Sequence, residues 1–354
     1  MSIDVLQAKI RKTKNPSMIC IAPSVLELPM PIKDAARAQY GDTLRAAAES
    51  YRQFSFDILD ALKDVVPAVS IVSGAFAALG SDGVAAMEDV LARARELGFY
   101  VLLDLMRADV ALNAEAMARA CFGGIQVGEQ TFTPYACDGV LMTGYLGSDS
   151  VKPFTQYCKD GKNVFIIARS SNKSAREVQD LLSGDRVVYQ VMADLAMRWS
   201  LDQFGKNGYS EIGIAAAATN PTVLRTLREK YDRLFFLVPG YGTQGGNAKL
   251  LVHGGVGSAR VHFTRGTFEN PAEPPMFCML LRKHLVGARI TAVSQPDFER
   301  MLVLDLDGRN ELGTPVKKQL VVEMLGRQSN VILVSGDGHI IDCMRRVDSS
   351  MSET

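Results

Sequence analysis

The chain has 354 residues and equal numbers of basic and acidic side chains, 39 of each, so its formal net charge is zero. This balance argues against a globally basic nucleic-acid-binding protein, and a composition of 47% hydrophobic and 22% charged residues is typical of a globular protein. The longest apolar runs fall short of the roughly 18 to 20 residues that a membrane helix needs. The six cysteines are scattered, which argues against a zinc or redox motif. We therefore expect a cytoplasmic protein with no metal and no cofactor.

From Met18 onward, short apolar runs alternate with longer helical patterns, which is typical of repeated βα units around a parallel sheet. Between the first two runs, apolar residues recur at helical spacing and predict a helix over 43–62. The runs predict strands at 18–21, 68–72, 100–105, 139–142, 163–168, 211–215 and 234–238. This series indicates an α/β fold of the (β/α)8 TIM-barrel class that is nearly complete.

The pattern changes after about residue 246, where a glycine-rich bridge and a proline-rich stretch precede one amphipathic helix, predicted over 276–285. Further runs then alternate as antiparallel strands do, at 289–295, 300–305, 318–324, 330–334 and 339–345, with a hairpin turn at 335–338. We expect a barrel domain over 1–247, a junction over 248–270, a small α+β domain with an antiparallel sheet over 271–346, and a disordered tail over 347–354.

The most informative motif is the segment 104–109, which follows the third predicted strand. Side chains alternate along a strand, so Asp104 and Met106 are expected on one face and Arg107 on the other. The C-terminal end of a barrel strand is where such folds place their catalytic residues. The segment resembles the Asp-x-Lys-Arg-x-Asp signature of the orotidine 5'-phosphate decarboxylase family in its second bacterial subfamily. Asp104 and Asp109 match this signature, whereas Met106 stands at the lysine position.

The resemblance implies a network of alternating lysines and aspartates, in which the motif lysine protonates the carbanion left at C6 of the pyrimidine. Met106 cannot take this role because a thioether has no proton to donate. Two other positions of the network also depart from the family: the first-strand aspartate is replaced by Ala22 and the second-strand lysine by Ser70. These departures all fall where the chemistry would take place, so they count against decarboxylation.

The loss of the lysines leaves Asp104 and Asp109 without their cations, and uncompensated buried carboxylates tend to raise their pKa and take up protons. Neither Lys152 nor Arg169 matches a proton-donating position of the family, and Arg107 is a poor donor because its pKa lies above about 12. Two interpretations of the aspartates stay open. They are a hydrogen-bonded structural remnant or the centre of a redirected site.

The family resemblance covers about residues 1–247 and includes the glycine-rich loop 239–246. Backbone N–H groups of such a loop can cradle a phosphate at the end of a late barrel strand, and a plain turn is the alternative. In the family, the glutamine that matches Gln244 touches the nucleotide phosphate, and a serine that matches Ser171 lies near the base; an ordinary polar loop residue is the alternative for Ser171. The candidates for substrate or phosphate binding are Ser171, Gly240, Gly242, Gln244, Gly245 and Arg265.

Residues 249–346 resemble part of the N-terminal domain of a second family, the NFACT proteins, which include ribosome-binding factors earlier named fibronectin-binding proteins. The matching stretches are 268–285, 287–290 and 323–330. The resemblance implies contact with ribosomal RNA, for which solvated charges on a small β domain are the alternative. The basic candidates for this contact are Arg282, Lys283, Arg289, Lys317, Lys318 and Arg327.

The segment 259–266 also has the form of the eighth barrel strand, and its Arg265 is similar to the phosphate-binding arginine of the decarboxylase family. We predict that residues 260–263 close the barrel beside the first strand, and an incomplete barrel with exposed edge strands is the alternative.

These observations predict a protein of the decarboxylase family with a degenerate, catalytically inactive site in which Asp104 and Asp109 remain. It is expected to bind a UMP-like nucleotide, to form the family's homodimer through the barrel, and to have no membrane partner. In this interpretation it is fused to a truncated domain of the ribosome-quality-control type. The alternatives are an active or altered nucleotide lyase, and an RNA- or ribosome-binding protein that acts through its C-terminal segment.

Overall fold

The structure is a computed structural model that describes residues 2–105, 110–200, 203–241, 249–254, 259–264, 271–297, 299–310 and 313–346. The chain divides into two compact units, Met1–Asn247 and Ala248–Thr354. Each unit has its own sheet and its own buried core, so each is described separately.

In the described residues of the first unit, a parallel sheet of seven strands forms the centre, in the order β1-β2-β3-β6-β7-β10-β11. The strand residues are mostly apolar because both faces of the sheet are buried. Two short antiparallel hairpins, β4-β5 and β8-β9, lie outside it. The strands are β1 Met18–Ile21, β2 Ala68–Val72, β3 Tyr100–Asp104, β4 Ile125–Val127, β5 Gln130–Phe132, β6 Gly139–Met142, β7 Asn163–Arg169, β8 Leu182–Ser183, β9 Arg186–Val187, β10 Ile212–Ala216 and β11 Phe236–Leu237.

Helices alternate with the sheet strands and cover the outer face of the sheet, where the largest hydrophobic core lies. The long helix α3 begins at a capped residue, since the hydroxyl of Thr43 accepts a hydrogen bond of 3.2 Å from the N–H of Ala46. The helices are α1 Ser2–Thr13, α2 Met30–Tyr40, α3 Leu44–Leu62, α4 Ser73–Ala77, α5 Gly80–Glu96, α6 Ala111–Ala118, α7 Ser148–Thr155, α8 Arg176–Gln179, α9 Val188–Trp199 and α10 Pro221–Lys230.

A second, smaller core fills the inside of the curled sheet. Ile3 and Leu6 of α1 pack there with Tyr100, Leu102 and Phe165 from the strands. Helix α1, which was not predicted from the sequence, therefore closes the N-terminal end of the barrel. Within the described part of the chain, β1 and β11 are the two ends of the sheet, which is a curled half-barrel.

The described residues of the second unit form one α-helix and two antiparallel sheets. A five-stranded sheet has the order β14-β15-β16-β17-β18, a two-stranded sheet joins β12 to β13, and helix α11 packs against the longer sheet through Phe277. The elements are β12 Lys249–His253, β13 Arg260–Thr264, α11 Met276–Leu285, β14 Arg289–Ser294, β15 Met301–Arg309, β16 Pro315–Glu323, β17 Asn330–Ser335 and β18 Ile340–Cys343.

The prediction that residues 260–263 form the eighth barrel strand is wrong. Strand β13 pairs antiparallel with β12, with Val261 opposite Val252. Both valines pack with Leu304 and Phe277 in the core of the second unit. The apolar alternation of this segment is therefore satisfied by a hairpin inside the second unit, and the alternative of an incomplete barrel describes the sheet.

Most predicted strands agree with the structure to within one or two residues. The predicted helix over 276–285 coincides with α11, and the predicted hairpin turn is closed by the N–H of Gly338, which donates to the carbonyl oxygen of Ser335 at 3.0 Å. The fold class predicted from the sequence, an α/β barrel followed by a small α+β domain with an antiparallel sheet, is confirmed.

Candidate functional site

The C-terminal ends of the parallel strands in the first unit bring several sequence-predicted residues to one end of the sheet. Asp104 is the last residue of β3 and lies between Val72 of β2 and Leu141 of β6 in the sheet register. The hydroxyl of Ser73 donates to the backbone oxygen of Asp104 at 2.7 Å, which fixes the end of the strand. Burial raises the pKa of the Asp104 carboxyl above its ordinary value. Such a carboxyl keeps its proton at a higher pH than an exposed aspartate.

The first two strands present small uncharged side chains at this end. Cys20 of β1 is paired with the buried Ser70 of β2, so their side chains lie on the same face of the sheet. Burial raises the pKa of the Cys20 thiol, and the charge of Asp104 raises it further, although Cys20 remains accessible to solvent. Cys20 thus lies near the Asp104 carboxyl. Cys20 was not predicted as a site residue, although its position two residues before Ala22 could have indicated it.

The end of β7 carries the best-defined ion pair of the site. The guanidinium of Arg169 donates two hydrogen bonds to the carboxylate of Asp180, at 2.8 and 3.1 Å, and the Arg169 side chain is only 9% exposed. The N–H of Ser170 donates to Oε1 of Gln179 at 2.9 Å. Ser171 follows in the same loop and is half-buried. The carboxylate of Asp180 therefore holds the Arg169 side chain in place.

A tyrosine lies beside this ion pair. The hydroxyl of Tyr145 donates to the backbone oxygen of Ala168 at 3.3 Å. Burial raises the pKa of Tyr145 to about 12, and the positive charge of Arg169 opposes this rise. The phenol consequently stays neutral at physiological pH and acts as a hydrogen-bond donor.

The predicted phosphate-binding loop begins where β11 ends. The N–H of Ala218 donates to the carbonyl oxygen of Pro239 at 2.8 Å, which joins this loop to the end of β10. Gly240 has a φ of +85°, a backbone conformation that residues with a Cβ rarely adopt. The turn therefore requires glycine at this position.

The structure thus brings Asp104, Ser171 and Gly240 to the ends of neighbouring or nearby strands of one sheet. The other predicted site residues lie outside the described residues: Met106, Asp109, Gly242, Gln244, Gly245 and Arg265. Their roles stay predictions.

Lys152, which does not match a proton-donating position of the family, lines a groove of about 520 Å³ between α6 and α7. Its neighbours in this groove are both acidic and basic, and they include Asp149 and Arg119. The groove therefore has no single charge that would select an anion.

One of the basic residues proposed to contact RNA is already engaged within the second unit. The ammonium of Lys318 donates to the backbone oxygen of His284 at 3.2 Å and lies 3.0 Å from Nδ1 of the same histidine. Partial burial lowers the pKa of Lys318. This lysine is consequently a poor candidate for a phosphate contact.

Among the described residues, no helix is long and apolar enough to cross a membrane. In the same residues, no group of three or more histidine, cysteine, aspartate or glutamate side chains is arranged to hold a metal ion.

Comparison with known proteins gives two family matches along the chain. Residues 53–254 match the family model described as "Orotidine 5'-phosphate decarboxylase / HUMPS family". Residues 237–354 match a second model, "NFACT N-terminal and middle domains". The two matches overlap at 237–254, where the first unit ends and the second begins.

Individual relatives agree with the first match. The chain is 31% identical over 244 residues to an orotidine 5'-phosphate decarboxylase of Rhodopirellula baltica. The matched residues cover 69% of this chain and 79% of the relative. A second such protein, from Clostridium perfringens, is 34% identical over 198 residues, or 55% of this chain and 66% of that protein. Among solved structures, the OMP decarboxylase of Leishmania donovani superimposes with a TM-score of 0.52 at 25% identity and covers 68% of this chain and 80% of that chain.

Proposed function

The chain belongs to the orotidine 5'-phosphate decarboxylase / HUMPS family, and on this premise we propose that its first unit binds a pyrimidine nucleotide without decarboxylating it. The second unit, which is NFACT-like, is an addition to this barrel. The proposal has two parts, the loss of the proton donor and the survival of a ligand site.

The observation that carries the proposal is the methionine at position 106. Decarboxylation leaves a carbanion that must receive a proton, and a donor must lie within hydrogen-bond reach of that carbon. A thioether has no proton to give. Arg169, a cation at the end of β7, is bound bidentately by Asp180, and a guanidinium is a poor acid.

The environment of Asp104 supports the same conclusion. In an intact network, a neighbouring lysine would lower the pKa of this carboxyl, whereas burial raises it here. The second-strand position is the buried Ser70, which brings no charge to the site. Near Asp104, the strand ends thus present the uncharged side chains of Cys20 and Ser70, and the cation Arg169 is paired with Asp180.

Ligand binding is supported by the geometry of the strand ends. Gly240 has the left-handed backbone that lets a loop bring its N–H groups close to an anion. Tyr145 stays neutral and Ser170 is held in place by Gln179. In parallel α/β folds, ligands bind at this C-terminal end of the strands.

Two measurements on the purified chain test the proposal together. We expect UMP to raise the melting temperature, because a ligand that binds only the folded state stabilises it, and orotidine 5'-phosphate to be released unchanged. Sustained release of carbon dioxide from orotidine 5'-phosphate would overturn the inactive assignment, and the absence of any effect of UMP on the melting temperature would overturn the ligand site.

Cys20 provides an independent readout of the same site. Its thiol is accessible and close enough to Asp104 for the carboxylate to raise its pKa. Bound UMP should therefore slow the alkylation of Cys20 by iodoacetamide, while Cys278 of the second unit, which is partly exposed, should react at an unchanged rate. Equal slowing of both cysteines would indicate a global stabilisation and not occupancy of the site.

A residual or altered lyase activity is the second candidate, and the raised pKa of Asp104 favours it. A carboxyl that keeps its proton at higher pH can act as a general acid. If this lyase activity exists, D104N should abolish it. The triple variant A22D/S70K/M106K should instead gain decarboxylation of orotidine 5'-phosphate. Contact of the second unit with ribosomal RNA stays a prediction.

A further inference from the structure

Two cysteine side chains lie together in the core of the first unit. Cys121 lies in the π-helical turn Arg119–Gly123, and Cys137 lies just before β6. Both side chains are buried, at 0% and 2% exposure, and both belong to the core between sheet and helices. Burial raises the pKa of the Cys137 thiol, and the Cys121 thiol raises it further. Both thiols thus lie in one buried core.

The backbone keeps these two segments side by side. The N–H of Tyr135 donates to the carbonyl oxygen of Ala120 at 3.0 Å, one residue away from Cys121. On the other side, the ammonium of Lys162 donates to the carbonyl oxygen of Cys137 at 2.6 Å. The backbone hydrogen bond between Tyr135 and Ala120 therefore holds the two cysteine-bearing segments next to each other.

The chain between the cysteines leaves the core and forms the hairpin β4-β5. All residues of both strands are exposed, and the turn of the hairpin carries Gly128 with a φ of +61°. The hairpin follows α6, and α6 follows the strand that ends in Asp104. A covalent bond between Cys121 and Cys137 would close the base of this exposed hairpin.

We propose that Cys121 and Cys137 form an oxidisable pair that closes to an intramolecular disulfide on reaction with a small-molecule disulfide, which fixes the base of the β4-β5 hairpin. The thiolate of one cysteine attacks a sulfur of the small disulfide and expels one thiolate. The thiolate of the second cysteine attacks the protein sulfur of this mixed disulfide and expels the other. The cysteines lose two protons and two electrons in total, and the small disulfide is reduced to two thiols.

Burial determines how the pair reacts. A neutral, buried thiol is a poor nucleophile, so the reaction requires a local opening of the segment that precedes β6. Oxidation of the pair should therefore be slower than modification of the accessible Cys20, and low urea concentrations that favour local opening should accelerate it.

The test uses the full chain and oxidised glutathione as the probe. After incubation, remaining thiols are blocked with N-ethylmaleimide, and the unfolded, unreduced chain is cut by a glutamate-specific protease. Glu129 lies between the two cysteines, so cleavage yields the fragments 116–129 and 130–177. We expect these two fragments to be joined until a reductant is added, with loss of N-ethylmaleimide labelling at both cysteines.

Cys158 provides the matched control, since it is buried in the same core and lies in the same fragment as Cys137. C158S should leave the joined fragments unchanged, whereas C121A and C137A should abolish them. The wild-type chain alone already tests the pairing if either alanine variant fails to fold. Separate fragments without reductant, both in buffer and in low urea, would overturn the proposal. Joined fragments that persist in folded C137A or vanish in C158S would do the same.

Discussion

The backbone N–H of Ile3 donates a hydrogen bond of 3.1 Å to Oε2 of Glu211, and this bond joins the first turn of α1 to the start of β10. The same carboxylate oxygen accepts a hydrogen bond of 2.5 Å from Nδ2 of Asn163, whose Oδ1 accepts one of 2.6 Å from the hydroxyl of Tyr100. A carboxylate at a helix N-terminus is stabilised by the exposed N–H groups of the first turn. This network holds the floor of the barrel, opposite the candidate site.

Glu211 should make the stability of the protein depend on pH. Burial raises its pKa, and the hydrogen bonds from Ile3 and Asn163 oppose this rise, while the charge of Asp4 adds to it. Between the ordinary glutamate pKa of about 4.3 and the raised value, the folded state binds more protons than the unfolded state, so the free energy of unfolding falls as pH rises. The variant E211Q removes this titration and keeps an oxygen acceptor. We expect E211Q to gain stability relative to wild type as pH rises through that window, measured by urea unfolding at a series of pH values. Parallel pH profiles for the two proteins would contradict this expectation.

The hydroxyl of Tyr100 should contribute measurably to stability. The side chain is fully buried, and its hydroxyl donates to Asn163. In Y100F, the Oδ1 atom of Asn163 loses a buried partner, which costs about 1 to 3 kcal/mol. Y40F is the control, because Tyr40 is only partly buried and its ring contact with Arg45 survives the change. Chemical denaturation of the two variants should give a clear loss for Y100F and a change within about 0.5 kcal/mol for Y40F.

The floor network shows where sequence reasoning succeeds and where it stops. Apolar runs predicted the strands because a buried parallel strand is apolar on both faces. Helix α1 was accessible to the same reasoning, since Ile3, Leu6 and Ile10 recur at helical spacing. The contact of Glu211 with Asn163 was not predictable in this way. The two residues are 48 positions apart, and only the sheet register brings them together. A local pattern does not identify a distant partner.

The same limit explains the error in the prediction for residues 260–263. Alternating apolar residues fit an eighth barrel strand and a hairpin strand equally well, and the choice between them depends on which core the valine side chains enter. Val261 enters the core of the second unit beside Val252. At the candidate site, the sequence located the strand end at Asp104, whereas the pairing of Arg169 with Asp180 required the folded loop between them.

The ion pair between Arg169 and Asp180 gives a prediction for the site itself. Arg169 is 9% exposed and Asp180 is 36% exposed, so the pair lies between a surface and a buried salt bridge. We expect D180N to lower the free energy of unfolding by about 1 to 2 kcal/mol, between the values for those two classes. D185N is the control: Asp185 lies 3.8 Å from Arg186 and is 96% exposed, and its replacement should have no measurable effect. Equal effects of the two variants in thermal denaturation would contradict the assignment.

The turn at Gly240 gives a prediction that separates backbone strain from ligand binding. Its φ is +85°, and Gly98, which lies just before the N-terminal end of β3, has a similar φ of +80°. Alanine at either position must adopt a left-handed backbone, which costs about 1 to 2 kcal/mol. G240A and G98A should therefore lose similar stability, because the strain is local and alike.

Since Gly240 lies in the loop proposed to hold the phosphate, only G240A should weaken the stabilisation of the protein by UMP. The comparison is made by thermal shift over a UMP titration of both variants, each referred to its own melting temperature without ligand. An undiminished UMP response in G240A would place the phosphate elsewhere, and an equal weakening in G98A would attribute the effect to stability alone.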